Sequence, residues 1–219
     1  QLIHALADMN AGKFVSGEEM KTPPKLFIGG AANPFAEPFD LRIIRLGKKI
    51  AAGAHFIQTQ PVFDVPRFEK WMSAVRDEGY DQQVYIIAGI MPVRSVRALL
   101  YMRDNVPGSL IADEYIERME AVKDDKEASA EAGVQMAVEI MNQVKAVPGV
   151  KGLHIMPVMW ESITPRLVEE AGLLPRPKPS PPESRHSERS EESASDADAT
   201  PRHSERSQES ASNAAGAQA

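Results

Sequence analysis

The sequence predicts an α/β fold in which parallel strands alternate with helices. Four short apolar runs are separated by stretches with helical periodicity, and a segment suited to ligand binding follows each run. A strand, helix, strand order of this kind produces parallel strands joined by right-handed crossovers. The pattern fits both an open doubly wound sheet and a closed barrel, and it does not choose between them.

The predicted elements can be assigned in chain order. The apolar runs predict strands at residues 25–29, 54–59, 84–88 and 151–156. The helical patterns cover residues 39–52, 65–79, 94–105, 111–122, 126–147 and 163–171. The last helix is predicted to end at Gly172, before the helix breakers Pro175 and Pro177.

The composition favours one globular domain and argues against several function classes. The chain has 219 residues, 42% of them hydrophobic, and the formal net charge of -6 gives no basic surface for a nucleic-acid partner. Without Cys, disulfides and iron–sulfur ligation are excluded. No apolar run approaches the roughly 18 residues of a membrane span, and no basic signal-peptide start is present, so we expect no membrane partner and a cytoplasmic location.

The end of the chain has a different composition. Residues 178–219 contain no Leu, Ile, Val, Met, Phe, Tyr or Trp, and one segment, 185–195, returns as 202–212 with a single difference. Such a stretch cannot bury a core. We therefore predict a folded domain at 1–177 and a disordered tail at 178–219, either a dispensable extension or a partner-binding segment. His186 and His203 are interpreted as solvated side chains rather than metal ligands.

Small and amide residues follow the first two predicted strands, where parallel α/β folds place their sites. Gly29, Gly30 and Ala31 would let a ligand approach the backbone, and Asn33 offers one donor and one acceptor group. The alternative is a tight turn into the next helix. Gln60 can pair with the edge of a heterocycle such as a pterin or flavin, or it can hold its own loop.

Positive side chains recur on the helix that follows the first strand. Arg42, Arg45 and Lys49 form a stripe at helical spacing, with Lys48 beside them. A stripe of this kind can hold a pyrophosphate. Ordinary solvated charge on an outer helix explains it equally well.

Other polar residues indicate structure rather than chemistry. Asp64 precedes a helical pattern and is predicted to be its N-cap. His55 and His154 lie within strands and are interpreted as buried, hydrogen-bonded structural residues. No Ser-His-Asp or paired-carboxylate spacing supports hydrolase chemistry. An aldolase would need a Schiff-base lysine inside a strand, whereas Lys25 and Lys151 lie at strand starts.

The strand-end segments together resemble the methylenetetrahydrofolate reductase family. The resemblance rests on residues 29–33, on the pattern K-K-x-x-A-G-A-x-F-x-x-T-Q-x-x-F-D within residues 46–64, and on A-G-I-M-P-V at 88–93, and it extends over about residues 1–175. It implies about the fifth to eighth strands of a (β/α)8 TIM barrel that binds FAD. It further implies reduction of 5,10-methylenetetrahydrofolate to 5-methyltetrahydrofolate by the reduced flavin, in the one-carbon metabolism that serves methionine biosynthesis.

The resemblance also implies roles for individual residues. Gln60 matches the glutamine that contacts the pterin of the folate substrate. Asn33 stands where many members have a histidine near FAD, and Lys48 and Lys49 match a basic pair on the FAD-contacting helix. The complete set that we predict to bind FAD is Gly29, Gly30, Ala31, Asn33, Arg45, Lys48 and Lys49.

The catalytic residues are expected upstream of Gln1. The family's catalytic glutamate and the acidic residue that tunes the flavin come from earlier strands. Ala98 and Trp160 replace a glutamine and an arginine that help to hold folate or the nicotinamide donor, so the donor is left open between NAD(P)H, another reductant and a partner subunit. Because four strands cannot close a barrel, we expect this chain alone to aggregate and to be inactive. The alternative is a non-catalytic flavin- or pterin-binding subunit of a larger complex, in a homo- or hetero-oligomer.

Overall fold

The computed structural model of the chain describes residues 1–176 and residue 178. Its contacts divide the chain into two units, Gln1–Pro175 and Arg176–Ala219. Apart from Lys178, the predicted tail lies outside the described residues, and so do its repeated segment and both of its histidines, His186 and His203.

Four parallel strands form one sheet, and their order in space is their order in the chain. They are β1 (Gly29–Ala32), β2 (Phe56–Pro61), β3 (Tyr85–Ile90) and β4 (Val150–Ile155). The pairings of β1 with β2, β2 with β3 and β3 with β4 are all parallel. The predicted α/β fold with a parallel sheet is therefore confirmed.

Seven α-helices precede, connect and follow the strands in the described part of the chain. They are α1 (Leu2–Asn10), α2 (Phe39–Ala51), α3 (Val65–Asp77), α4 (Val96–Asn105), α5 (Asp113–Glu120), α6 (Lys126–Ala146) and α7 (Thr164–Glu170). Short 3-10 helices occupy Tyr80–Gln82 and Glu161–Ile163. The six predicted helices are present with ends within two residues of those predicted. Helix α1 was not predicted, and none of its residues is buried.

Side chains at the helix starts explain where several helices begin. Asp64 accepts a hydrogen bond from the backbone N–H of Arg67 at 2.8 Å, which confirms the predicted N-cap of α3. Asp125 caps α6 in the same way. These caps satisfy backbone N–H groups that have no partner within the helix.

Strand β1 begins four residues later than predicted. The sequence predicted a strand at 25–29 and a turn after it, whereas Gly29–Ala32 is the strand. The N–H of Ile28 donates to Nδ1 of His55 at 2.8 Å, so a side chain stands where regular pairing with β2 would begin. The apolar run at 26–28 therefore lies before the strand, and two of its residues, Leu26 and Phe27, are exposed.

Strands β2 and β3 each extend two residues past their predicted ends. Gln60 and Pro61 therefore lie in β2 rather than after it. Pro61 cannot donate to the sheet, and the register shifts between Gln58 and Pro61. Next to this shift, the hydroxyl of Thr59 accepts the N–H of Gly89 at 2.9 Å. The irregular pairing keeps a proline within a strand that the sequence predicted to stop before it.

The two faces of the sheet differ in burial. Ile57 and Ile86 are completely buried and belong to one apolar core with residues of α2, α3 and α6. On the other face Tyr85 is 47% exposed and Phe27, just before β1, is 60% exposed. The ring of Phe27 stacks on Phe56 with 5.3 Å between centroids. Within the described residues, helices cover one face and leave the other open.

The two strand histidines have different surroundings. His55 is half-buried, accepts the Ile28 N–H and stacks on Phe27 at 5.1 Å, so it is hydrogen-bonded as predicted. His154 in β4 has a buried Nδ1 without a hydrogen-bond partner among the described residues. The prediction of a hydrogen-bonded structural residue is wrong for that nitrogen. Separately, none of the described helices combines the length and the apolar character needed to cross a membrane.

Candidate functional site

An open cleft lies at the carboxyl ends of β1 and β2, beside helix α2. Its volume is about 180 Å³, which is smaller than the roughly 300–1,000 Å³ of a complete small-molecule site. The residues that line it are Ala31, Ala32, Asn33, Arg42, Arg45, Leu46, Lys49 and Gln60. The carboxyl ends of parallel strands are where such folds bind ligands.

The cleft brings together five of the eight predicted binding residues. Those that line it are Ala31, Asn33, Arg45, Lys49 and Gln60. Those that do not are Gly29, Gly30 and Lys48. Lys48 is exposed on another side of α2, because one residue along a helix turns the side chain by about 100°.

The two glycines make room for the protein's own side chains. A Cβ added at Gly30 would lie 3.3 Å from Ile3 and Ile57 and 3.6 Å from the Lys49 stem. A Cβ added at Gly29 would overlap the ring of Phe56. The space beside these glycines, which the sequence interpretation assigned to a ligand, is therefore occupied by packing. Gly30 allows the Lys49 stem to cross β1 closely.

Lys49 carries the most perturbed charge of the cleft. Its Nζ donates to the carbonyl oxygen of Ala31 in the edge strand β1. Burial lowers the pKa of Lys49, and the positive charge of Arg45 lowers it further. Arg45 is exposed and forms no ion pair among the described residues. Two neighbouring cations without a carboxylate between them favour an anionic ligand.

Arg42 lines the cleft but was not included in the predicted set. Its Nε donates to the carbonyl of Ala36 at 3.1 Å, and a second nitrogen donates to the carbonyl of Glu37. These bonds tie the loop after β1 to helix α2. The spacing of Arg42, Arg45 and Lys49 in the sequence already predicted that the three share one helix face. That spacing is the signal by which Arg42 could have been included in the predicted set.

Asn33 is held from two sides. Its Oδ1 accepts the N–H of Phe35 at 2.9 Å in a local turn. Gly108, in the loop between α4 and α5, lies against the Asn33 amide, and a Cβ added there would overlap it. Gly108 has a φ of 80°, in the left-handed region that glycine adopts without strain. Asn33 therefore retains its Nδ2 donor for a ligand, while its acceptor is used within the loop.

Gln60 provides a free amide at the rim of the cleft. Its side chain is exposed and makes no hydrogen bond to any other described residue. The alternative that it holds its own loop is not observed, since the Thr59 hydroxyl bonds the Gly89 N–H there and the Val62 N–H bonds the Gly89 carbonyl. Both the donor and the acceptor of this amide are available to a ligand.

The residues at the two departures from the family pattern follow β3 and β4, on the opposite side of the sheet from the cleft at β1 and β2. Ala98 is half-buried in the first turn of α4. Trp160 follows β4, and the guanidinium carbon of Arg94 lies 5.5 Å from the centroid of its ring. Neither residue lines the cleft.

Comparison with known proteins decides the family. Residues 25–172 match the family model described as Methylenetetrahydrofolate reductase. The chain belongs to this family. Methylenetetrahydrofolate reductase 1 of Schizosaccharomyces pombe is 32% identical over 138 residues, which cover 63% of this chain and 22% of that relative. Methylenetetrahydrofolate reductase 2 of Saccharomyces cerevisiae is 34% identical over 131 residues, 59% of this chain and 21% of that relative.

These matches cover only a small part of the two reductases. The chain spans 22% and 21% of the two yeast relatives, so it corresponds to about a fifth of their length. Among solved structures, an uncharacterized protein from Clostridium thermocellum that binds two copies of 5-methyl-5,6,7,8-tetrahydrofolic acid has a TM-score of 0.48 and 20% identity. That match covers 67% of this chain and 52% of that protein.

Proposed function

We propose that this chain forms the flavin- and folate-binding part of a reductase that converts 5,10-methylenetetrahydrofolate to 5-methyltetrahydrofolate. Membership of the family over residues 25–172 supports the reaction class. The observation that carries the site assignment is the cleft itself, which combines three cations with the free amide of Gln60. When bound, FAD supplies the hydride chemistry that side chains lack.

The donor set of the cleft fits a dinucleotide cofactor. Arg42, Arg45 and Lys49 line it, and no carboxylate of residues 1–176 does, which suits a diphosphate. The Ala31 carbonyl orients the Lys49 ammonium, and an anion beside Arg45 would offset the repulsion between the two cations. The Gln60 amide is free to pair with the donor and acceptor edge of a pterin. Lys48, Gly29 and Gly30 have no direct part in this proposal.

We further propose that the four strands are the fifth to eighth strands of a (β/α)8 barrel. A doubly wound sheet reverses its strand order at a switch point, whereas the order here follows the chain without reversal. The open face, with Phe27 and Tyr85 exposed, suits the interior of a barrel that further strands complete. The predicted domain, residues 1–177, then corresponds to this barrel part.

We assign proton donation to another part of the reductase, because none of the described residues that line the cleft is a carboxylate. The electron donor is NAD(P)H, another reductant or a partner subunit. The same lack of a carboxylate favours the second candidate, a flavin- or pterin-binding subunit that is not itself catalytic. Both candidates require the cleft to bind its ligands.

Titration of the soluble fraction of the full 219-residue chain with FAD tests the cleft directly. Binding by a soluble monomer would also contradict the expectation that this chain alone aggregates. We expect quenching of flavin fluorescence, and we expect Lys49→Met to weaken binding roughly tenfold because the contact of a half-buried lysine is lost. Lys48→Met is the matched control, since it removes the adjacent lysine outside the cleft, and it should leave the affinity unchanged. Equal loss in both variants, or no binding of FAD to a folded chain, would contradict the assignment.

The pterin contact needs a separate measurement. Gln60→Leu should weaken binding of 5-methyltetrahydrofolate roughly tenfold, because the pterin edge loses its paired amide. The same variant should bind FAD as tightly as the unmodified chain. A loss of FAD affinity without any loss of folate affinity would reverse the assigned role of Gln60.

A further inference from the structure

Lys49 is a charged residue of the cleft that has no carboxylate partner. It is half-buried and lines the cleft. Its Nζ donates to the carbonyl oxygen of Ala31 and forms no ion pair with any residue in the described part of the chain. A carbonyl accepts an N–H from a neutral amine as it does from an ammonium. The contact with Ala31 therefore persists when Lys49 loses its proton.

The packing of the Lys49 stem fixes the position of this nitrogen. A Cβ added at Gly30 would lie 3.6 Å from Cδ of Lys49, so the glycine lets the stem cross β1 closely. The stem ends at the Ala31 carbonyl of the same strand. Lys48, in contrast, is exposed and does not line the cleft. Two lysines that are adjacent in the chain thus differ in how firmly their amines are held.

The surroundings of Lys49 also favour its neutral form. Burial lowers the pKa of Lys49, and the positive charge of Arg45 lowers it further. The neutral amine is the nucleophilic form of lysine, and desolvation or a neighbouring cation activates it. An amine that is held in place beside a cation is suited to attack an electrophile that enters the cleft.

Two arginines beside this amine can hold such an electrophile by a phosphate group. Arg42 donates to the carbonyls of Ala36 and Glu37 through Nε and one terminal nitrogen, and its other terminal nitrogen makes no hydrogen bond to a described residue. Arg45 is exposed and has no ion-pair partner within residues 1–176. Guanidinium groups match the geometry of phosphate oxygens. Because the cleft volume is only about 180 Å³, the electrophile should be small.

We propose that Lys49 is acylated by small acyl phosphates, such as acetyl phosphate, with Arg42 and Arg45 holding the phosphate. The neutral Nζ attacks the carbonyl carbon, a C–N bond forms, and the C–O bond to the phosphate breaks. The proton that the nitrogen loses leaves with the phosphate as hydrogen phosphate, and no oxidant or reductant is required. The product is an amide that carries no charge.

The acylation goes beyond the proposed function, because it does not depend on FAD. Its consequence for the cofactor does rest on the proposed function. An acyl group on Lys49 removes one cation from the cleft and adds bulk to it. Acylation should therefore weaken the binding of FAD and so control the loading of the reductase with its cofactor.

Site-resolved acetylation tests the proposal. The soluble fraction of the full chain is incubated with acetyl phosphate, and peptide mass spectrometry follows each lysine over time. We expect Lys49 to react roughly tenfold faster than Lys48, the matched control beside it. In urea the two rates should become equal, because only the folded chain forms the cleft. Equal rates in the folded chain would overturn the proposal, and so would a preference that survives in urea.

Competition tests the role of the arginines. Inorganic pyrophosphate should occupy the guanidinium groups and slow the reaction of Lys49 with acetyl phosphate roughly tenfold, while the rate at Lys48 stays the same. This measurement uses the unmodified chain, so it does not depend on the folding of a variant. Arg45→Gln should also slow the reaction of Lys49, whereas Arg97→Gln, which removes an exposed arginine outside the cleft, should not. A rate at Lys49 that pyrophosphate does not change would overturn the assigned role of the arginines.

An acyl thioester is a second source of the same acyl group. S-acetyl-N-acetylcysteamine carries no phosphate, so its preference for Lys49 over Lys48 should be smaller than that of acetyl phosphate. An equal or larger preference with the thioester would overturn acyl phosphates as the class of donor.

Titration with FAD separates the acylation from the cofactor assignment. The chain acetylated at Lys49 should bind FAD roughly tenfold more weakly than the unmodified chain, and equal binding would overturn the consequence for cofactor loading. Selective acetylation of Lys49 in a chain that does not bind FAD would contradict the cofactor assignment and leave the acylation standing. FAD binding without faster acetylation of Lys49 than of Lys48 would overturn the acylation alone.

Discussion

Tyr85 and Ile86 are neighbours in β3, yet the first is 47% exposed and the second is completely buried. Neighbouring residues of a strand point to opposite faces of the sheet. Both faces of this strand carry large apolar side chains, which is typical of parallel sheets that are covered on both sides. The described helices cover the face that carries Ile86. The face that carries Tyr85 has the apolar composition of a buried face, but no described element covers it.

The largest predicted effect is the difference in stability between substitutions at these two neighbours. Ile86→Ala removes a completely buried side chain and should lower the free energy of unfolding by about 2–5 kcal/mol. Tyr85→Ala removes a side chain from the open face and should cost less than about 1 kcal/mol. Urea unfolding of the full chain, followed by circular dichroism, measures both values.

The comparison would fail if the two substitutions cost the same. A large loss for Tyr85→Ala would mean that the open face is covered in solution, for example by a second copy of the chain. Repeating the unfolding at several protein concentrations distinguishes this case, since stability that depends on association rises with concentration.

Substitutions at two glycines should also differ in their effect on stability, but by a smaller amount. A Cβ at Gly133 would overlap the backbone carbonyl of Val93, which cannot rotate away, so Gly133→Ala should destabilise the chain by about 1–3 kcal/mol. A Cβ at Gly29 would overlap the far end of the half-buried Phe56 ring, which can turn toward the open face. Gly29→Ala should therefore cost less than about 1 kcal/mol. Thermal unfolding checks the order, and a larger loss for Gly29→Ala would contradict it.

The alternation of strands and helices could be predicted from the sequence, but the strand ends could not. Helix ends followed from local signals such as the Asp64 cap and were correct within two residues. The start of β1 depends on a hydrogen bond between Ile28 and His55, which are far apart in the chain. The end of β2 depends on an irregular register around Pro61. Neither feature can be recognised from the pattern of apolar residues near the strand end.

The candidate cleft was predictable as a region and less so residue by residue. Helical spacing already placed Arg42 with Arg45 and Lys49, and the structure brings these three together. Lys48, which the family pattern adds to the set, does not line the cleft, because adjacent residues of a helix point about 100° apart. The glycines of β1 were interpreted as space for a ligand, because a sequence does not show which side chains of the protein will fill such space.

The smallest predicted effect concerns Lys49, whose stem crosses the covered face over Gly30 and whose ammonium reaches the edge carbonyl of Ala31. Its pKa is lowered by burial and secondarily by Arg45. Arg45→Gln should therefore raise the pKa of Lys49 while leaving it below the ordinary value of 10.5, since burial remains. Side-chain NMR of Lys49 across the alkaline range measures this shift, and Arg97→Gln, which removes an arginine outside the cleft, should leave it unchanged.

The lowered pKa of Lys49 also fixes the sign of a stability change. Between the folded pKa and 10.5 the unfolded chain binds more protons at this lysine than the folded chain does, so its contribution to stability rises with pH in that window. Below the folded pKa the full unfavourable contribution is present. Arg45→Gln should narrow this pH range, because the pKa of Lys49 in the folded chain moves toward 10.5. A window of unchanged width would show that burial alone sets the pKa, and that the two cations of the cleft do not repel each other enough to favour an anion.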